Sequence, residues 1–116
     1  MFKKKFNFET RLAESTRIRK AYPDRVPLII QRAQNSKDVE DLKKHKYLVP
    51  AGTSIAQLIA IIRKRMTGLP AEKSIFIFVN ETSMPSANAT LAEVDNSHRD
   101  KDGFVYVHYA GENVFG

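Results

Sequence analysis

The chain has 116 residues, 42% hydrophobic and 28% charged, the balance of a folded domain with one core rather than of a disordered segment. No run approaches the roughly 18 apolar residues of a membrane-spanning helix, and no charged-then-apolar leader is read at the start. The absence of cysteine excludes disulfides, thiolate metal sites and a thiol nucleophile. The net charge of +6 is uneven: residues 1–65 hold 16 Lys/Arg against 6 Asp/Glu, while 66–116 hold 3 against 7. Nucleic acid, anionic headgroups and acidic protein segments are therefore candidate partners of the first half, beside a merely solvated basic face.

Taken in order, Phe2 to Phe8 sets Lys3, Lys4 and Lys5 among phenylalanines, a short helix whose simplest use is to dock one or two aromatic rings on the core. Position 2 is Phe, where N-myristoylation needs glycine. Asn7 is an N-cap, with Glu9 in the first turn of a helix that runs to about Ala21, where Tyr22-Pro23-Asp24 stops it. Its aliphatic content is thin (Leu12, Ala13, Ile18, Ala21), so the helix is expected to lie on something larger. Arg25 to Ala33 reads as a strand with Pro27 near its start, where a missing N–H does least harm. The charged run from Asn35 to Lys46 reads as loop, and Lys46 to Pro50 as a second strand closed by Pro50 and Gly52.

The clearest helix follows. Ser54 and Gln57 make a capping box, and Ile55, Leu58, Ile59, Ile62 and Met66 recur at helical spacing, leaving Ile61 off the main stripe. Arg63, Lys64 and Arg65 suit the negative end of the helix dipole, and Gly68 and Pro70 end the element. Ser74 to Asn80 is a continuous apolar run, the pattern of a strand covered on both faces. Glu81 to Thr90 reads as loop, and Thr90 with Glu93 opens a short helix to about Ser97. Asp102-Gly103 turns the chain into Phe104 to Tyr109, an aromatic and β-branched alternation suited to the middle of a sheet. Beyond Gly111 a polar tail ends in Phe115-Gly116.

This order, two helices, two strands, helix, strand, helix, strand, is an α+β arrangement of a sheet wrapped on one main helix. KYLVP at 46–50, RKR at 63–65, IFIFVN at 75–80 and KDGFVYV with GENVFG across 101–116 make the chain resemble the autophagy ubiquitin-like modifiers, the family conjugated to phosphatidylethanolamine that includes the GABA-receptor-associated protein. The resemblance spans about Phe8 to Gly116. It implies a ubiquitin-like β-grasp with a four-stranded mixed sheet, a main crossing helix and two added N-terminal helices. The corresponding division is 1–24 for the helical extension, 25–110 for the core and 111–116 for a conjugation tail.

The same resemblance implies that Gly116 is activated by an adenylating enzyme, carried as a thioester on two cysteine enzymes and passed to the lipid amine, with Phe115 as the handle for these enzymes and for a processing or delipidating cysteine protease. A glycine suits this step because an acyl carbon beside no Cβ passes down a narrow channel unhindered. It further implies docking of aromatic-x-x-aliphatic peptides of cargo receptors as an added strand. The aromatic pocket falls on Glu14, Ile18, Pro27, Ile29, Lys46, Leu48 and Phe104. The aliphatic pocket falls on Tyr47, Val49, Pro50, Leu58 and Ile61, with Arg25 and Arg65 receiving acidic residues. A second docking surface falls on Phe76, Ile77 and Phe78, a run whose stronger reading is simply a core strand. Two stretches, Met66 to Pro70 and Ser36 to His45, each run one residue longer than the family pattern.

An enzyme is not expected, because His45, His98 and His108 are far apart and no carboxylate pair shares a face. No metal and no cofactor is called, beyond phosphatidylethanolamine attached after conjugation. The alternatives are a nucleic-acid-binding domain, for which no stacking motif accompanies the charge, and a ubiquitin-like module that binds without being conjugated. On the plainest reading Lys43, Lys44 and Lys46 merely guard a strand edge from aggregation. The expected protein is a monomer of the cytoplasm, found on autophagosomal and vacuolar or lysosomal membranes when lipidated.

Overall fold

Each helix begins where a side chain caps it, α1 excepted. In the computed structural model, which describes residues 1–80 and 83–112, the Asn7 side chain accepts the Thr10 amide at 2.8 Å and opens α2 (Phe8–Ala21) behind the single turn of α1 (Phe2–Lys5). Ser54 and Gln57 form the capping box of α3 (Ile55–Lys64), and Thr90 and Glu93 that of α4 (Leu91–His98). The strands are β1 (Arg25–Arg32), β2 (Lys46–Pro50), β3 (Phe76–Val79) and β4 (Val105–Ala110). No helix among the described residues is long and apolar enough to cross a membrane.

The sheet order is β2-β1-β4-β3, antiparallel at both ends and parallel between β1 and β4 at the centre. The last strand therefore lies between two others, and all six of its residues are buried, as its alternating aromatic and β-branched sequence requires. Pro27 is accommodated by position. Ile30 N donates to His45 O beyond β2, so the odd-numbered residues of β1 face β4, and the ladder with β4 begins only at Leu28.

The sheet has two unlike faces. On one, α3 lays Ile55, Leu58 and Ile62 onto Leu28, Ile30, Val49, Ile77, Val79, Val105, Val107 and Tyr109, the main core. Met66, beyond the end of α3, belongs to the same core, and Ile61 is half-buried against it. Val39 and Leu42 also enter this core, so the charged stretch before β2 is pinned rather than loose. On the other face a small cluster of Phe2, Ile29, Phe104 and Tyr106 is covered by the N-terminal helices, with the Phe2 and Phe104 rings edge to face at 5.4 Å.

The second helix lies on the sheet, as its thin aliphatic content requires, but little of that content docks it. Leu12 is 38% exposed, Ala13 and Ala21 are exposed, and only Ile18 packs, half-buried, on the small cluster. The residues it buries are Arg11 and Ser15. Arg11 Nη1 reaches Asp102 Oδ2 at 2.5 Å, Ser15 Oγ donates to Asp102 O at 2.5 Å, and Arg19 grips both Gly103 O and the Asp95 carboxylate. Positions 11, 15 and 19 recur every four residues, so one polar stripe faces the turn before β4. That turn uses Gly103 at φ +90°, where an added Cβ would come within 2.9 Å of the Ser15 Cβ.

Candidate functional site

Strand β2 ends the sheet, so one side of its backbone faces outward, the geometry that adds a further strand. Pleating divides its side chains. Lys46 and Leu48 pair with Ile29 and Pro27 and share the face under α2, whereas Tyr47 and Val49 pair with Leu28 and Val26 and share the face under α3. The residues of the expected aromatic pocket are thus brought together. Ile29, Pro27 and Phe104 are buried as its floor, and half-buried Ile18, Leu48 and Glu14 with exposed Lys46 form its rim. Lys46 Nζ and Glu14 Oε2 meet at 2.8 Å and bridge that rim from strand to helix. Phe104, 1% exposed and covered by Phe2, is reached only if a neighbour moves.

On the other face Tyr47, Val49, Leu58 and Ile61 come together, with Leu58 wholly inside the core and Tyr47 and Ile61 half-buried at the surface. Arg65, which caps α3, lies 5.9 Å from the Tyr47 ring, and Lys44 lies 5.6 Å from it. Burial raises the Tyr47 phenol against the opposing pull of Arg65. Pro50 ends the strand opposite exposed Arg25 and alternates onto the first face, apart from the other four residues of the aliphatic group. Phe76 is half-buried, while Ile77 and Phe78 are buried on opposite faces of the sheet as strand residues.

Several interactions elsewhere in the frame had no signal in the sequence. Asp95 binds both Arg19 and Arg99; burial alone would raise its carboxyl, but the hydrogen bonds from the two guanidinium groups outweigh that and hold it below the ordinary carboxylate range. Tyr106 donates to Asp102 Oδ2 at 2.5 Å, and its phenol is pushed well above the ordinary value by burial and then by that carboxylate. Arg63, expected only to complement a helix end, donates to the carbonyls of Pro70, Ala71 and Lys73 and fixes the stretch after α3.

The chain leaves β4 at Ala110. The Gly111 amide donates to Ser36 Oγ at 3.0 Å, Ser36 Oγ donates to Asp38 Oδ1 at 2.8 Å, and Asp38 pairs with Lys73. Gly111 is buried and Glu112 is exposed. The expected conjugation residues Phe115 and Gly116 lie outside the described residues, as do Glu81 and Thr82 at the start of the expected loop before α4.

A mixed four-stranded sheet with β1 and β4 parallel at its centre, β2 and β3 at its edges and α3 packed across one face is a ubiquitin-like fold, here extended by two N-terminal helices. Residues 10–116 match the family model described as autophagy protein Atg8, ubiquitin like. The chain is 49% identical to autophagy-related protein 8 of Candida glabrata over 115 residues, covering 99% of this chain and 95% of the relative. It is 49% identical to that of Saccharomyces cerevisiae, with 99% and 96% covered, and 50% identical to autophagy-related protein 8b of Arabidopsis thaliana, with 99% and 92% covered. The chain belongs to the Atg8 family of autophagy ubiquitin-like proteins.

Proposed function

We propose that this chain is a conjugated modifier of autophagy. Gly116 is joined to phosphatidylethanolamine on autophagosomal and vacuolar or lysosomal membranes, and the lipidated protein recruits cargo receptors through aromatic-x-x-aliphatic peptides laid along β2. In the conjugation, ATP adenylates the Gly116 carboxylate with loss of pyrophosphate, an enzyme thiolate displaces AMP, and after transfer to a second thiol the lipid amine displaces it to leave an amide. The catalytic groups belong to the activating and conjugating enzymes, and to the cysteine protease that processes or delipidates the product. This chain supplies the acyl group and the docking surface.

The observation that carries the reading is the edge itself. An outward-facing strand has one set of side chains over a floor of Pro27, Ile29 and Phe104, a second set over Leu58 and Ile61, and cations at Lys46, Arg25 and Arg65 for an acidic peptide. The Lys46 and Glu14 pair gives the peptide a cation to engage as it enters.

Two measurements test the reading. With activating and conjugating enzymes, ATP and phosphatidylethanolamine liposomes, the chain ending at Gly116 is expected to shift on a gel and the chain lacking Gly116 is not; an equal shift in both would refute conjugation through that residue. An acidic aromatic-x-x-aliphatic peptide is expected to bind Leu48→Arg about 30-fold more weakly, the size of a lost central contact, at unchanged thermal stability. Equal affinity would remove the pocket from β2.

A further inference from the structure

The stretch before β2 and the stretch after α3 meet each other over the end of β4. Glu40 Oε1 accepts the amides of Thr67 at 2.8 Å and Gly68 at 3.2 Å, so one carboxylate ties the two together. Each is also held from its own side. Tyr109, in β4, donates its hydroxyl to Glu40 O at 2.8 Å and accepts the Leu42 amide at 3.0 Å, and Arg32 donates to Val39 O at 3.1 Å. Across from them, the Arg63 guanidinium gathers the carbonyls of Pro70, Ala71 and Lys73. From these two braced segments Asp38 and Lys73 reach toward each other and form an ion pair, their side chains 26% and 32% exposed.

Gly111 lies against that pair. A Cβ there would come within 2.8 Å of both Asp38 Cγ and Lys73 Cε, so only a residue without one fits while the pair is closed. Its amide is held through Ser36 Oγ to the same Asp38 carboxylate. Gly111 is also the last buried residue among those described, followed by exposed Glu112, and it stands five positions before Gly116.

We propose that Asp38 and Lys73 form a clasp over Gly111 that fixes the point from which the C-terminal residues are presented to the activating enzyme, making both side chains positioning residues for conjugation. The inference rests on the conjugation reading above. Closing the clasp at Gly111 leaves five residues to reach an active site, on the order of 17 Å at about 3.4 Å each. Opening it lets the anchor retreat into the strand end and returns conformational freedom that productive docking must remove again. The hydrogen bond from Lys73, with that from Ser36, holds the Asp38 carboxyl below its ordinary range, so the carboxylate stays charged at neutral pH. Because the clasp lies away from the reacting carboxylate, it acts on the encounter and not on the acyl transfer.

The test uses the full chain with its activating enzyme and ATP, in wild type, Lys73→Ala, Asp38→Asn, Gly111→Ala and the double variant Lys73→Ala/Gly111→Ala. Thioester formation gives KM and kcat, and amide hydrogen exchange reads the Gly111 N–H directly. Each single variant is expected to raise KM about two- to fivefold, the size of an exposed ion pair, with kcat unchanged, and in Lys73→Ala and Asp38→Asn, which keep the glycine, Gly111 exchange is expected to be faster by a similar factor. The double variant is expected to match the singles rather than multiply them, because all three remove one interaction. Unchanged KM or unchanged Gly111 exchange would overturn the clasp while leaving conjugation in place. A wild-type chain that forms no thioester would overturn the conjugation reading and the clasp with it.

Discussion

Asp102→Ala is the substitution that most directly tests how α2 is held. The carboxylate is fully buried. Its Oδ2 receives Arg11 Nη1 and the Tyr106 hydroxyl, each at 2.5 Å, and its Oδ1 receives the Phe104 amide at 2.9 Å. Removing it leaves the Arg11 guanidinium, in a residue 9% exposed, with Phe6 O but no counter-ion, and takes the acceptor from a buried phenol and a buried amide. Deleting one partner of a buried pair costs about 3–5 kcal/mol. In a domain of this size each kcal/mol lowers Tm by about 4 °C, so a fall of about 12 to 20 °C is expected by circular dichroism. Arg11→Ala/Asp102→Ala is expected to lose less than the sum of the two single variants by about 1 kcal/mol or more, since no buried charge is left alone in it. A loss below about 1 kcal/mol in Asp102→Ala would refute the reasoning, because Arg11 would then have turned to water at little cost.

Two further substitutions bear on the same frame. The folded-state pKa of Asp95 lies below its ordinary value, so its charge contributes stability that is complete above the unfolded pKa near about 4 and is lost as pH falls through the folded one. Asp95→Asn is therefore expected to melt lower than wild type at neutral pH and to show a flatter acid limb, and parallel Tm curves between about pH 5 and pH 2 would contradict this. Tyr109→Phe leaves the buried Leu42 amide without its acceptor and frees Glu40 O, for an expected loss of about 1–3 kcal/mol in urea unfolding. Equal midpoints would mean that Val39 and Leu42 anchor that segment without the hydroxyl.

The local signals in the sequence were strong wherever a short-range rule applied. Both capping boxes, the Asn7 cap, the stripe of Ile55, Leu58 and Ile62 and the alternation of the last strand act within a few residues, and each is found as read. Boundaries shrank at both ends: the run from Ser74 to Asn80 forms a strand only over Phe76–Val79, because β4 ends at Ala110, the partner of Phe76, and because Asn80 turns away at φ 53° even as its amide donates to Tyr106 O. What composition hid was the polar seam. Arg11 and Asp102 are 91 residues apart, and Asp38 and Lys73 are 35 apart, so no periodicity links them. A charged residue in a helix is ordinarily read as solvated, and Arg11 and Arg19 depart from that rule only because the turn at Asp102-Gly103 lies beneath them. The assignment of Arg63 to a helix dipole missed its three carbonyl partners for the same reason, since they lie in a loop whose path the sequence does not show.

The two faces of the sheet are therefore built on different physics, and the proposed peptide edge stands at their junction. Under α3 the contacts are apolar, non-directional and continuous with the main core, so the aliphatic side of the edge is fixed by packing that few single changes disturb. Under α2 the contacts are charged hydrogen bonds to one turn, with half-buried Ile18 between helix and sheet. Directional bonds set the distance from helix to strand more sharply than an apolar stripe would, and that distance would set the width of the proposed aromatic pocket between Ile18 and Leu48. The seam thereby gauges the pocket from behind, while Lys46 and Glu14 span it in front. Replacing the seam with leucines would keep α2 on the sheet yet lose that gauge. Such a variant is expected to melt below wild type but above Asp102→Ala, since the Phe104 amide and the Tyr106 hydroxyl lose their acceptor while no buried charge is left alone, and to bind the acidic peptide more weakly than wild type.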